Sequence, residues 1–286
     1  MTQILYPPSR PQSVGEVLDT GFRIFTASLV KCLPYAALAV VSGQLPTLYQ
    51  VAIGRSLLQA AQQRYRDPVW WLLEALAIVG TITLSNALLM RQHALATARP
   101  TATGAELARG LRLMPAVVLI GLLVVLAMVP SGMVAGLVVG LRGGASGLVV
   151  LLVVLAALTP AAWVLLRWSC SVPTLVITGR GALASMSHSW QLTAGNFWRL
   201  SLIYTVAIIL IVVLYVLSGI VSGIVSLLIA RGDIAVFTAT AAAIVVLLGA
   251  IATPFYSALA VAVLGDLSVR KEGGDLAQRI AAPAMQ

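Results

Sequence analysis

Apolar residues fall along this chain in six long blocks, Leu33–Gly54, Val69–Met90, Leu113–Leu141, Gly147–Leu166, Leu200–Ala230 and Ala235–Leu264, separated by polar or basic intervals. About 20 apolar residues in a helix are enough to cross the hydrocarbon core of a bilayer. Each block is long enough for one crossing and none is long enough for two. The pattern therefore predicts an all-α, polytopic membrane protein with six transmembrane helices. Pro46, Pro160 and Pro254 lie inside blocks, as spanning helices tolerate when neighbours satisfy the freed backbone groups.

The intervals between blocks alternate in character. The ones after the third and fifth blocks are tight turns, Arg142–Ser146 and Arg231–Asp233, whereas those before the first, third and fifth are longer and half apolar. This predicts three hairpins, each preceded by an interfacial amphipathic helix. Ser13 and Glu16 stand at capping-box spacing, and Val14, Val17, Leu18, Phe25 and Leu29 then recur at helical intervals. Such a helix lies either in the headgroup layer or against the protein's own spans. Thr103 and Glu106 repeat the capping-box spacing in the stretch Pro100–Arg112. The third stretch, Arg167–Arg199, is the most distinctive. From Ala182 onward its larger apolar residues are Leu183, Met186, Trp190 and Phe197, with Ser185, Ser187, His188 and Gln191 between them, the pattern of a helix lying apolar face down on a membrane. Residues 1–12 and 266–286 read as polar tails, the first flexible, flanking a membrane domain over residues 13–265.

Composition excludes a soluble domain. The chain is 60% hydrophobic and 9% charged, with a mean hydropathy of +1.00, against about 25% charged in soluble proteins. A net charge of +9 would suggest nucleic acid in a soluble protein; here the basic residues sit at block ends, where headgroups explain them and nucleic acid does not. Six spans put both termini on one side. Thirteen of the 18 Lys and Arg residues fall on that side, against Arg55, Arg64, Arg66, Arg142 and Arg231 on the other. Basic loops stay in the cytoplasm, so the termini and Arg167–Arg199 are expected there, in a multi-pass protein of the bacterial inner membrane.

Candidate chemistry is sparse. Cys32 and Cys170 share no short motif, His93 and His188 stand alone, and no metal-ligand spacing, phosphate loop or carboxylate pair is present. The expectation is a non-catalytic protein without a cofactor. Glu74 is the ionisable residue inside an apolar block, which makes it either a functional contact or a side chain reaching the outer headgroups. Gln44 and Asn86 are further intramembrane polar candidates. Gly132, Gly136 and Gly140 form a double GxxxG, and Gly219 with Gly223 another. Such faces let helices approach closely, within one chain by default or between two copies.

The run RW…VP…V…G…AL…S…L…GNFWR, on Arg167, Trp168, Val172, Pro173, Val176, Gly179, Ala182, Leu183, Ser189, Leu192, Gly195, Asn196, Phe197, Trp198 and Arg199, resembles the membrane-domain family of glycerophosphoryl diester phosphodiesterases. That grouping overlaps six-span bacterial inner-membrane proteins of the YciC-like type. SVGEVLDTGFRIF (Ser13–Phe25) and DLSVRKEGGDL (Asp266–Leu276) look similar to the family's ends. The family name implies an attached phosphodiesterase domain with its own metal site. None is expected in a chain ending at Gln286, so no catalytic residue carries over. Two functions follow. One is a scaffold or docking subunit whose Arg180, Trp190, Trp198 and Arg199 contact anionic headgroups, a protein partner or a second copy. The other is a transporter or channel for a small or amphipathic solute, with a polar cavity lined by Gln44, Glu74, Asn86, Thr159 and Ser257.

Overall fold

Capping chemistry sets where the helices begin. Asp67 holds an extended backbone and its carboxylate accepts the N–H groups of Val69 (3.1 Å) and Trp70 (3.4 Å), with Pro68 as first helical residue. The Ser13–Glu16 capping box forms as its spacing predicts: the Ser13 N–H donates to the Glu16 carboxylate (2.6 Å) and the Glu16 N–H to the Ser13 hydroxyl (3.3 Å). A computed structural model describes residues 5–54, 64–99, 101–141, 146–230 and 234–273. Among them regular structure is entirely helical: α1 (Val14–Ala52), α2 (Pro68–Ala96), α3 (Thr103–Gly140), α4 (Gly147–Arg167), α5 (Ser171–Thr178), α6 (Ala182–Thr193), α7 (Phe197–Ala230) and α8 (Ile234–Glu272), with a 3-10 turn at Arg64–Arg66. Six helical stretches are long and apolar enough to cross a membrane, and the chain is an integral membrane protein. The expected turns Arg142–Ala145 and Arg231–Asp233 lie outside the described residues, as do the residues after Gly273.

Each apolar block coincides with a helix to within two residues at one end, and most of these helices continue well past the block at the other. α1 spans 39 residues and α3 38, about 57 Å each at 1.5 Å per residue, nearly twice the hydrocarbon thickness. The amphipathic stretches before the first and third blocks are therefore not separate helices but extensions of α1 and α3. The charged residues that suggested a break, Lys31 and Arg112, do not end a helix, and neither do Pro34 and Pro115, which both chains of backbone accommodate. Only the third stretch breaks from its span. Gly179, in the left-handed region at φ 73°, closes α5, a conformation that favours glycine.

α1 lies along both α2 and α8; α2 also packs on α3, α3 on α4, and α7 on α8, while α4 barely touches α7. The most enclosed element is α8, whose residues Ala258 to Leu264 are all buried, the mark of a helix surrounded on every side. α3 and α4, by contrast, leave most of their apolar residues exposed, among them Leu126, Met133, Leu152 and Leu155.

Small residues make the close contacts, but not the expected ones. A Cβ on Gly110 would meet the Thr83 carbonyl oxygen at 2.6 Å, one on Gly80 the Ser42 hydroxyl at 2.5 Å, and one on Gly265 the Tyr6 ring at 2.9 Å. Asn86 donates to the Gly110 carbonyl at 3.2 Å. Gly132, Gly136, Gly140, Gly219 and Gly223 have no neighbouring atom within 4 Å of such a Cβ. Their expected contact within the chain is not made, because each helix is turned one position round: Ser131 and Ala135 face inward on α3, and Ser218, Ser222 and Ser226 on α7.

One end of the bundle, which gathers both described chain ends, is fastened by two buried carboxylates. Asp266 (1% exposed) accepts from Arg199 (2.8 Å), Arg270 (3.0 Å) and the Gln12 N–H (2.7 Å), and both guanidinium groups also donate to the Gln12 carbonyl. Residues 5–12, expected as a flexible tail, are thus tied down: Leu5 and Tyr6 donate to the Ala96 carbonyl, and Tyr6 stacks edge-on against His93 at 4.8 Å. Burial, with help from the Glu272 carboxylate, pushes the Tyr6 hydroxyl up to about 12. Glu106 (3% exposed) accepts from Arg91 at 2.7 and 2.9 Å, from Tyr35 at 2.6 Å and from Thr101. Thr103 and Glu106 therefore do not form a capping box. Both turn to Arg91, since Thr103 accepts from it at 2.9 Å.

Two outcomes are expected in detergent. Gly110→Leu should lower thermal stability strongly, since overpacking costs about 1–3 kcal/mol even where no backbone blocks it, whereas Gly132→Leu should leave unfolding within about 0.5 kcal/mol of the parent. Equal damage from the two substitutions would contradict the packing. Asp266→Asn should cost about 3 kcal/mol, the range for breaking one side of a buried ion pair, and should speed amide hydrogen exchange at Gln12, whose N–H bonds Asp266. Unchanged exchange at Gln12 in that variant would mean the clamp does not hold the N-terminus.

Candidate functional site

A cavity of about 640 Å³ opens between α2, α3, the α4–α5 junction, α7 and α8. Its walls are mainly apolar, from Leu88, Leu89, Val117, Ile120, Val124 and Ile208, and Gly121 leaves space on the α3 side. Polar groups enter from Ser85, Asn86, Ser169, Tyr204, Thr253, Tyr256 and Ser257, and no charged residue among the described residues lines it. Tyr204 and Ser257 are 6% and 9% exposed, and their hydroxyls have no hydrogen-bond partner among the described residues. A buried hydroxyl without a partner costs roughly 1–3 kcal/mol. Two at one cavity are therefore unusual unless something else meets them. The size falls within the 300–1,000 Å³ common for small-molecule sites.

Of the polar residues expected to line a cavity, Asn86 and Ser257 do so. Gln44 and Glu74 are half-buried elsewhere on α1 and α2, and Thr159 is exposed and bonded to its own helix at the Leu155 carbonyl (3.0 Å). Asn86 is committed to Gly110, and Ser85, Ser169, Tyr204, Thr253 and Tyr256 are the polar groups that sequence reasoning missed. The available signal was two tyrosines inside charge-free blocks, each bringing a hydroxyl to a depth where apolar side chains are the rule.

The face above this cavity is built differently from the expectation. α6 starts at Ala182 as its pattern predicts, but it buries Ala182, Ser185, Met186, Ser189, Leu192 and Thr193, while Leu183 is 66% exposed. The physical reason is hydrogen bonding: Ser189 (2.8 Å) and Thr193 (3.1 Å) donate to the Arg167 carbonyl, and Ser189 accepts the Cys170 N–H at 3.2 Å. These small hydroxyl-bearing residues draw α6 onto the end of α4. Trp190 is not a free anchor. The Arg167 guanidinium lies 4.4 Å from its ring centroid and 5.4 Å from that of Trp163, and the two rings meet edge-on at 5.0 Å. Arg199 is held in the Asp266 clamp. Of the four expected contact residues, Arg180 is exposed and Trp198 is 80% exposed.

A second cavity, of about 450 Å³, lies at the fastened end among α2, α3 and α5. His93, Thr97, Arg99, Thr101, Glu106 and Arg109 supply its polar wall, and Arg109 donates to the Val176 carbonyl at 3.1 Å. Cys32 and Cys170 are buried free thiols.

No curated protein and no solved structure matches the chain. Residues 145–275, from the start of α4 through α8, match the family model described as the membrane domain of glycerophosphoryl diester phosphodiesterase, so the resemblance carried by Arg167–Arg199 is matched over that stretch of the chain.

Proposed function

We propose that this is a non-catalytic, multi-pass protein of the bacterial inner membrane that binds an amphipathic, largely apolar molecule between its spans. The observation that carries the reading is the 640 Å³ cavity, apolar on most of its wall, with the Tyr204 and Ser257 hydroxyls buried at it without partners. A polar or ionic solute would lose its hydration there without compensation. A molecule with a long apolar body and a few uncharged oxygens would meet both kinds of wall. This version of the transporter reading differs from a polar channel because Glu74, Gln44 and Thr159 lie elsewhere.

The fastened end faces the cytoplasm in this reading, supported by the thirteen basic residues on that side of the chain. The three successive helix pairs α1–α2, α3–α4 and α7–α8 then act as hairpins around the cavity, with α5 and α6 at headgroup depth. A docking role for that face is supported by the exposure of Trp198 and Arg180, which suits anionic lipid or a partner protein. Trp190 and Arg199 would act there as internal supports.

Filling the cavity tests the main reading. Gly121→Phe places a ring in the open space on the α3 wall and is expected to weaken binding of a fluorescent monoacylglycerol by tenfold or more, with thermal stability kept. Unchanged binding by a folded Gly121→Phe protein would sink the proposal. In parallel, Arg180→Glu with Trp198→Ala should reduce retention on anionic vesicles while leaving monoacylglycerol binding intact.

A further inference from the structure

The ion pairs of the fastened end leave a remainder. Arg91 is taken by Glu106, Arg199 and Arg270 share Asp266, and Arg167 is stacked on Trp163 and Trp190. Arg99 and Arg109 have no carboxylate partner among the described residues, and both line the 450 Å³ cavity. The one carboxylate at that cavity, Glu106, already accepts from Arg91, Tyr35 and Thr101. Its charge is compensated, and the cavity keeps a positive balance. Arg109 is positioned from α3 by the single bond to the Val176 carbonyl, and its remaining N–H groups are available. Arg99 enters from the connection between α2 and α3, so the two guanidinium groups reach the space from different segments.

We propose that this cavity is a phosphate-binding site, with Arg99 and Arg109 as its two cationic ligands. A planar carboxylate matches one guanidinium fork. A tetrahedral phosphate presents oxygens in several directions and can accept from two forks of different origin. The site is separate from the apolar cavity below it and from the exposed Arg180 and Trp198. The phosphate belongs either to a lipid headgroup reaching up from the bilayer or to a soluble phosphate ester or inorganic phosphate from the water side.

The test uses the full chain in nanodiscs. Native mass spectrometry after reconstitution in mixed phosphatidylglycerol and phosphatidylcholine counts retained anionic lipid, and thermal unfolding in inorganic phosphate against chloride at equal ionic strength reads soluble anion. Wild type should retain phosphatidylglycerol, gain stability with phosphate, or both; retention alone identifies a lipid headgroup and a phosphate shift alone a soluble ligand. Arg99→Gln with Arg109→Gln should weaken the response tenfold or more, and Arg112→Gln, at an exposed arginine outside the cavity, should not. Because Arg109 also bonds α5, Arg99→Gln alone serves as the variant that leaves the packing untouched, with a partial loss expected. No response in wild type, an undiminished response in Arg99→Gln and the double variant, or an equal loss in Arg112→Gln would overturn the site.

Discussion

In lipid, an apolar side chain gains almost nothing by leaving the solvent for the bundle, so helices are held by close packing and by polar groups that have nowhere else to bond. Here the polar fastening is concentrated at one end. Asp266 joins the N-terminal segment, α7 and α8 through Gln12, Arg199 and Arg270, and Glu106 joins α1, α2 and α3 through Tyr35, Arg91 and its own helix. Gln92, fully buried, adds a bond from α2 to the Pro254 carbonyl of α8 at 2.7 Å. Removing either carboxylate would leave buried guanidinium charge uncompensated, which is worse than never having had the pair. Away from this end polar fastening is sparser, with Thr81 donating to the Ala39 carbonyl at 3.1 Å and Tyr49 to Asp67 at 3.1 Å, and α3 and α4 leave long faces exposed.

That uneven fastening accounts for the cavity. α4 is bound to α3 along its length and to α6 through the Arg167 carbonyl, yet barely touches α7. The space between is closed at the fastened end by α5 and left open along the spans. Individual interhelical hydrogen bonds in membranes contribute about 0.6 kcal/mol on average, so the Asn86–Gly110 bond is a small part of the α2–α3 contact. The close approach at Gly110 carries more, because nothing larger fits against the Thr83 carbonyl.

Much of the architecture was legible in the residues. The six apolar blocks lie in six long helices, the Ser13–Glu16 box forms, and α6 begins at Ala182. What misled was charge used as punctuation: Lys31 and Arg112 mark where a helix leaves apolar surroundings, not where it ends. Side-chain direction was the second limit. Trp190 was readable as an amphipathic anchor, but whether it faces lipid or Arg167 depends on a rotation of α6 fixed by Ser189 and Thr193. The GxxxG stripes make no contact within the chain for the same reason, since a turn of one residue puts Ser131 or Ser222 inward instead of Gly132 or Gly223. Glu106 was legible as a capping residue for Thr103 and Asp266 only as a polar residue near a block end. Arg270 stands at helical i,i+4 spacing from Asp266, but Arg91 and Arg199 lie 15 and 67 residues from their carboxylates, beyond any local pattern.

The two cavities follow the polarity of a bilayer along the same helices. On α2 the apolar cavity takes Ser85, Asn86, Leu88 and Leu89, and the basic one begins at Met90 and continues to His93 and Ala94, then to Thr97 just past the helix end. On α5 the change falls between Pro173 and Val176, about one helical turn. A step of about 5.4 Å per turn separates walls that suit hydrocarbon from walls that suit an anion, which is the spacing over which acyl chains give way to headgroups. α5 is the element that keeps the two apart, since Val172 and Pro173 look to one and Val176 and Ile177 to the other. The Arg109 bond to the Val176 carbonyl fixes α5 in that position. The half-polar stretch between the fourth and fifth spans therefore supplies, in α5, a partition between an apolar cavity and a basic one.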